Sequence, residues 1–151
     1  MTRQNAPLGT ISVDQFMREY WQRKPLLVRQ ALPGFTSPIA FDEVLALARD
    51  PDVESRLVSA FDGKWALARG PFGARQIPSR RRPDWTVLVQ GMDLHHDAAH
   101  EMLSRFRFLA DARLDDLMVS VATRGGGVGP HLDSYDVFPI QAQGQIGRAH
   151  V

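Results

Sequence analysis

The sequence predicts a mixed α and β chain whose β content rises toward its C-terminus. Three observations carry that reading. Apolar residues recur at helical spacing in the first part of the chain. Asp62-Gly63, a strong two-residue hairpin signal, sits between two strand-like segments. Two apolar runs, 85–90 (WTVLVQ) and 117–123 (LMVSVAT), then lead into a glycine-rich stretch. No repeat and no internal boundary is visible, and 151 residues suit one ordinary domain.

Each element has a local cause. Ser12 is placed to cap a helix, with Gln15 at the capping-box position. Val13, Phe16, Met17, Tyr20 and Trp21 form its apolar face, and Pro25 ends it. Leu26-Leu27-Val28 reads as a short strand, and Pro33, Gly34 and Pro38 mark a loop. Residues 41–48 (FDEVLALA) form a second helix, closed near Asp50-Pro51. Strands follow over 56–61 and 64–69, then a loop rich in Pro, Gly and Arg over 70–84. Residues 97–108 carry helical periodicity through Ala98, Met102, Leu103 and Phe106. A strand is expected over 131–140, and Trp65, Phe72 and Trp85 are expected in the core.

Composition excludes several chemistries. The chain has no cysteine, which removes disulfides, zinc–thiolate sites, iron–sulfur clusters and thiol catalysis, and suits a reducing cytoplasm. A net charge of +1 supplies no global pull toward nucleic acid or membrane. No apolar run approaches the roughly 20 residues that span a bilayer. Residues 1–8 lack the apolar region of a secretory signal.

The chemistry-bearing stretch is 125–133 (GGGVGPHLD). In a strand, residues i and i+2 share a face, so His131 and Asp133 could grip one metal ion together. A histidine and a carboxylate are two parts of the facial triad of non-haem Fe(II) oxygenases. Residues of these types also pair on solvated surfaces, and the local pattern leaves both readings open. His96 and His100 stand at i, i+4, but Asp97 replaces the glutamate of the zinc motif H-E-x-x-H. A solvated helix start explains them better. Arg75 and Arg80-Arg81-Arg82 form a basic loop that could meet RNA or an acidic partner, with no RNP-like motif beside it. Ser120 precedes the glycine loop on the face shared by Met118 and Ala122, where its hydroxyl could bond a bound carboxylate or its own backbone.

Several segments together resemble the bacterial ribosomal oxygenases of the JmjC/cupin class. They are 20–26 (YWQRKPL), 54–59 (ESRLVS), 62–65 (DGKW), 70–72 (GPF), 85–90 (WTVLVQ), 114–120 (LDDLMVS) and 125–138. The resemblance spans about residues 12–145 and implies an α+β fold. N-terminal helices and strands would lead into an incomplete cupin/JmjC double-stranded β-helix, or jelly-roll. It implies an Fe(II)- and 2-oxoglutarate-dependent oxygenase that hydroxylates an arginine of a large-subunit ribosomal protein. On this analogy His131 and Asp133 are iron ligands and Ser120 helps hold 2-oxoglutarate, the co-substrate. Decarboxylation of the co-substrate is then coupled to hydroxylation of an unactivated C–H bond. A cytoplasmic setting, a ribosomal protein as substrate, no DNA or membrane contact, and a homodimeric full-length protein are implied as well.

The chain departs from that family after residue 145. Ile146 stands where the family places an arginine that binds 2-oxoglutarate. Residues 146–151 (IGRAHV) equal the translation of part of a common sequencing-library adapter. Residues 1–145 are therefore expected to be the N-terminal part of a JmjC/cupin domain, and 146–151 a non-native tail. The family's third iron ligand lies on a later strand, and His150 substitutes for it only if the tail folds back beside His131. The chain alone is expected to be inactive, with apolar strands exposed and their edges unpaired. The competing readings are another cupin oxygenase or demethylase, a metal-independent ribosome- or RNA-binding module, and a cupin segment with no function of its own.

Overall fold

The computed structural model describes residues 6–144. Its centre is a four-stranded antiparallel sheet in the order β2-β1-β3-β4, built from β1 (Ser55–Phe61), β2 (Lys64–Arg69), β3 (Trp85–Val89) and β4 (Val119–Ala122). The β1–β2 turn puts both Asp62 (φ 51°) and Gly63 (φ 71°) in the left-handed region, as a two-residue hairpin demands. β3 is buried along its whole length, which explains why 85–90 reads as a continuous apolar run. It is flanked by strands on both sides and covered on both faces.

Register sorts the side chains into two faces. Leu57, Val87 and Val121 align across three strands, as do Ser55, Val89 and Val119. This face packs on α2 (Phe41–Leu47) through Val44 and Leu45, with Phe72, Ile77 and Met92 completing the core. Trp85 is fully buried there. Its indole N–H donates to the Ser79 carbonyl at 3.2 Å, and Phe41 meets its ring edge-on. The opposite face carries Arg56, Val58, Trp65, Leu67, Leu88, Ser120 and Ala122.

The first helix is capped where the sequence indicated, and the other two are capped by groups the structure reveals. α1 (Val13–Glu19) starts at Ser12, whose hydroxyl accepts from the Gln15 N–H at 3.1 Å. Glu43 accepts from the Ala40 N–H at 2.6 Å and opens α2. α3 (Asp97–Ser104) begins at His96, whose Nδ1 accepts from the Ala98 N–H.

Four expectations are corrected. Residues 26–28 form no strand: they run irregularly between Gln22 and Gln30, both at positive φ, with no strand partner. Residues 131–140 form no strand either, since among the described residues they pair with neither outer strand of the sheet, β2 or β4. α3 stops at Ser104 rather than continuing to Phe108, where the chain turns to bring Phe106 and Phe108 under α1. Trp65 is 55% exposed rather than in the core, because Ala60↔Trp65 pairing turns it to the face away from α2.

Candidate metal centre

β4 delivers the site. Asp116 accepts hydrogen bonds from the Gly91 N–H and from Gln90 Nε2, and Asp93 accepts from the Leu117 N–H at 2.8 Å. These two carboxylates tie the entry of β4 to the turn after β3. At the other end, the Asp84 N–H donates to the Arg124 carbonyl and the Gly126 N–H to the Thr123 carbonyl. The glycine loop then crosses the far face of the sheet. A Cβ at Gly126 would overlap the Trp85 carbonyl oxygen, whereas one at Gly129 would only touch the Trp65 ring at 3.4–3.5 Å. The loop lies this close at Gly126 because that position lacks a side chain, and Gly129 is favoured by its positive φ of 73°.

His131 and Asp133 are brought together without a strand. His131 Nε2 lies 3.5 Å from Asp133 Oδ2. The His131 Nδ1 is 2.9 Å from the Gly129 carbonyl oxygen. A carbonyl only accepts, so this contact puts a proton on Nδ1, and in the neutral imidazole the Nε2 lone pair then faces the carboxylate. That is the tautomer a metal-ligating histidine needs, with its other nitrogen held by a backbone carbonyl. Donors about 2.0–2.2 Å from one ion, zinc's distances, fall about 3.0–3.5 Å apart when they hold neighbouring coordination positions. The pair therefore fits a shared first-row divalent ion. Both side chains are half exposed (53% and 41%), so their donor atoms are reachable. Leu132 between them is 99% exposed.

The pair's segment is anchored beyond the ligands. Asp136 Oδ2 accepts from Gln22 Nε2 at 3.2 Å. Phe138 stacks on Trp21 (5.9 Å, 15°) and meets Phe106, Phe16 and Phe108. The sequence reading missed Phe138, Trp21 and Gln22 as parts of the site. The aromatic content of 20–21, 106–108 and 138 was visible, but nothing in the linear order says these residues meet.

Ser120 lies on β4, exposed, opposite Leu88 and on the face away from α2, the face over which the glycine loop passes. The histidines at 96 and 100 are not brought into a site, because His96 spends its Nδ1 on the helix cap. Among the described residues no group of three or more His, Asp or Glu side chains is placed to hold a metal ion. His150 and the segment 145–151 lie outside the described residues.

An antiparallel sheet preceded by helices and followed by a glycine loop with H-x-D is part of a JmjC/cupin fold. Residues 101–147 match the JmjC domain family. The chain is 41% identical over 136 residues to the ribosomal protein uL16 3-hydroxylase of Escherichia coli, covering 90% of this chain and 36% of that protein. It is 35% identical over 144 residues to a probable ribosomal oxygenase of Haemophilus influenzae, covering 91% of this chain and 35% of that one. Solved structures of the E. coli ribosomal oxygenase YcfD superpose with a TM-score of 0.76 at 40% identity, over 82% of this chain and 34% of theirs. One of these holds cobalt and 2-oxoglutarate and another cobalt and succinic acid. The chain is similar to these bacterial ribosomal oxygenases over most of its own length, and it spans about a third of the length of the relatives it matches.

Proposed function

We propose that this chain contributes the first two iron ligands and part of the 2-oxoglutarate site of a ribosomal-protein hydroxylase. His131 and Asp133 hold Fe(II), and Ser120 offers its hydroxyl to the co-substrate. An arginine of a large-subunit ribosomal protein is the group modified, in the cytoplasm where that substrate is available. When bound, iron and 2-oxoglutarate supply the oxidising chemistry. The chain's own residues set the ligand tautomer and hold the pair on an anchored segment. The single observation that carries the reading is the His131–Asp133 pair, with Nδ1 against the Gly129 carbonyl and Nε2 3.5 Å from the Asp133 carboxylate.

Residues 1–145 are proposed to be the opening part of the domain and 146–151 a non-native tail, which leaves the 151-residue chain without turnover of its own. Two ligands still bind a divalent ion weakly. Titration of the chain with Co(II), followed by the histidine proton resonances, is expected to shift His131 selectively. The shift is lost in His131→Ala and Asp133→Ala, and His96 and His100 stay unmoved. A response centred on His96 or His100, or one indifferent to Asp133→Ala, overturns the assignment.

A further inference from the structure

At the edge of the sheet, where β3 begins and β4 ends, lies a cleft of about 390 Å³. Arg80, Arg81 and Pro83 form one wall, Thr123 and Arg124 the other, with Asp84 between. Its basic wall is braced from behind. Arg80 pairs with Asp42 at 3.5 Å and lies over the Phe41 ring at 4.0 Å. Arg82 lies over the Phe61 ring at 3.5 Å, and the Arg81 N–H donates to Ser79 Oγ. The backbone of the two walls is joined by the Asp84 N–H to Arg124 carbonyl bond at 2.9 Å. Among the described residues, the guanidinium groups of Arg81 and Arg124 have no ion-pair, ring or hydrogen-bond partner. Two unspent cations thus share a cleft with the one carboxylate of Asp84, which leaves a net positive lining whose frame is held in place by others.

We propose that this cleft binds the phosphate backbone of RNA, with Arg81 and Arg124 as the contacting groups. Guanidinium forks match phosphate oxygens. The choice between a nucleic acid and an acidic peptide follows from what the cleft lacks. Protein partners draw affinity from apolar anchors in pockets, and here Pro83 is the one apolar lining residue. A nucleic acid draws its affinity from charge neutralisation alone. Base-stacking aromatics are absent from the lining, so the contact tracks backbone and carries no sequence preference. The choice of RNA as the nucleic acid rests on the ribosomal reading, whereas the phosphate site does not. It is separate from His131 and Asp133 and needs no metal.

The test is fluorescence anisotropy of a labelled oligouridylate titrated with the 151-residue chain across a salt series, with chelator present. Two phosphates on a single strand predict a log–log salt slope of about −1.4. Arg81→Glu/Arg124→Glu is expected to weaken binding about tenfold or more and to flatten that slope. Arg81→Gln/Arg124→Gln falls between, and Arg23→Glu/Arg29→Glu, outside the cleft lining, leaves affinity unchanged. Both cleft arginines are exposed, so unchanged circular dichroism is expected in each variant. Binding that ignores the cleft variants overturns the proposal. So does displacement by polyglutamate in preference to pyrophosphate, which points to an acidic peptide. Absence of RNA binding by the unaltered chain, with an intact Co(II) response at His131, sinks this inference alone.

Discussion

His131 shows how one backbone contact decides what a side chain can do. Histidine carries two nitrogens of different capacity, and the Gly129 carbonyl selects between them by being able only to accept. The glycines around it act through space rather than through chemistry. At Gly126 a methyl group would meet the Trp85 carbonyl oxygen and crowd the buried Thr86 hydroxyl, itself without a partner among the described residues. Backbone is what stands in the way, so the loop must lift. Gly126→Ala is expected to cost about 1–3 kcal/mol in urea unfolding, the usual penalty of overpacking. Gly127, with nothing near it, tolerates the same change within about 0.5 kcal/mol. Equal losses at the two positions would show that the loop does not lie on the sheet. H-x-D and its glycines were legible in the sequence because identity alone defines them. The shared-face argument that first joined His131 to Asp133 assumed a strand. The pair meets at 3.5 Å in an irregular segment instead.

At the scale of elements, the segment carrying the metal pair is held by aromatic contacts rather than by a hydrogen-bonded ladder. Phe16 and Trp21, in and just beyond α1, meet Phe138 together with Phe106 and Phe108. Ring pairs of this kind contribute about 0.5–1.5 kcal/mol each beyond burial. Phe138 is half-buried, so Phe138→Ala is expected to cost about half of the 3–5 kcal/mol typical of a buried phenylalanine. It should also expose 131–137 to rapid proteolysis while the β1–β2 hairpin stays protected. Protection of 131–137 that survives the change would locate the anchor elsewhere, at Asp136 and Gln22. The helices, the hairpin and β3 were readable because capping groups, turn residues and apolar runs act within a few positions. The strand expected over 131–140 failed for the opposite reason. A strand needs an edge to pair with, and that is a property of the rest of the sheet.

For the whole molecule, the sheet divides into a finished face and an unfinished one. Beneath α2 the core is closed. On the other face Trp65, Leu67 and Met118 remain exposed beside Val128, and β2 and β4 are the outer strands. Outer strands with free hydrogen-bonding groups and apolar side chains invite pairing with another copy. The 151-residue chain is therefore expected to self-associate with rising concentration in sedimentation velocity. Leu67→Lys on the outer strand should shift it toward monomer with little loss of stability. A monomer at all concentrations with a cooperative melt would show that this face needs no cover.

By itself the sequence determined what acts over short range: the Ser12 cap of α1, the two-residue hairpin at Asp62-Gly63, the strand at β3, and the H-x-D pattern of His131 and Asp133. It also carried the resemblance to the bacterial ribosomal oxygenases, because the matching segments recur in a set order. Only the tertiary structure decided which way Trp65 faces, that Phe138 rests on Trp21, that Nδ1 of His131 is spent on Gly129, and that Arg81 and Arg124 share a cleft. Those outcomes depend on strand register and on contacts between residues up to 122 positions apart, as at Phe16 and Phe138 (138 − 16). Chain order does not encode such distances. They emerge when the apolar faces close on one another and carry the polar groups with them.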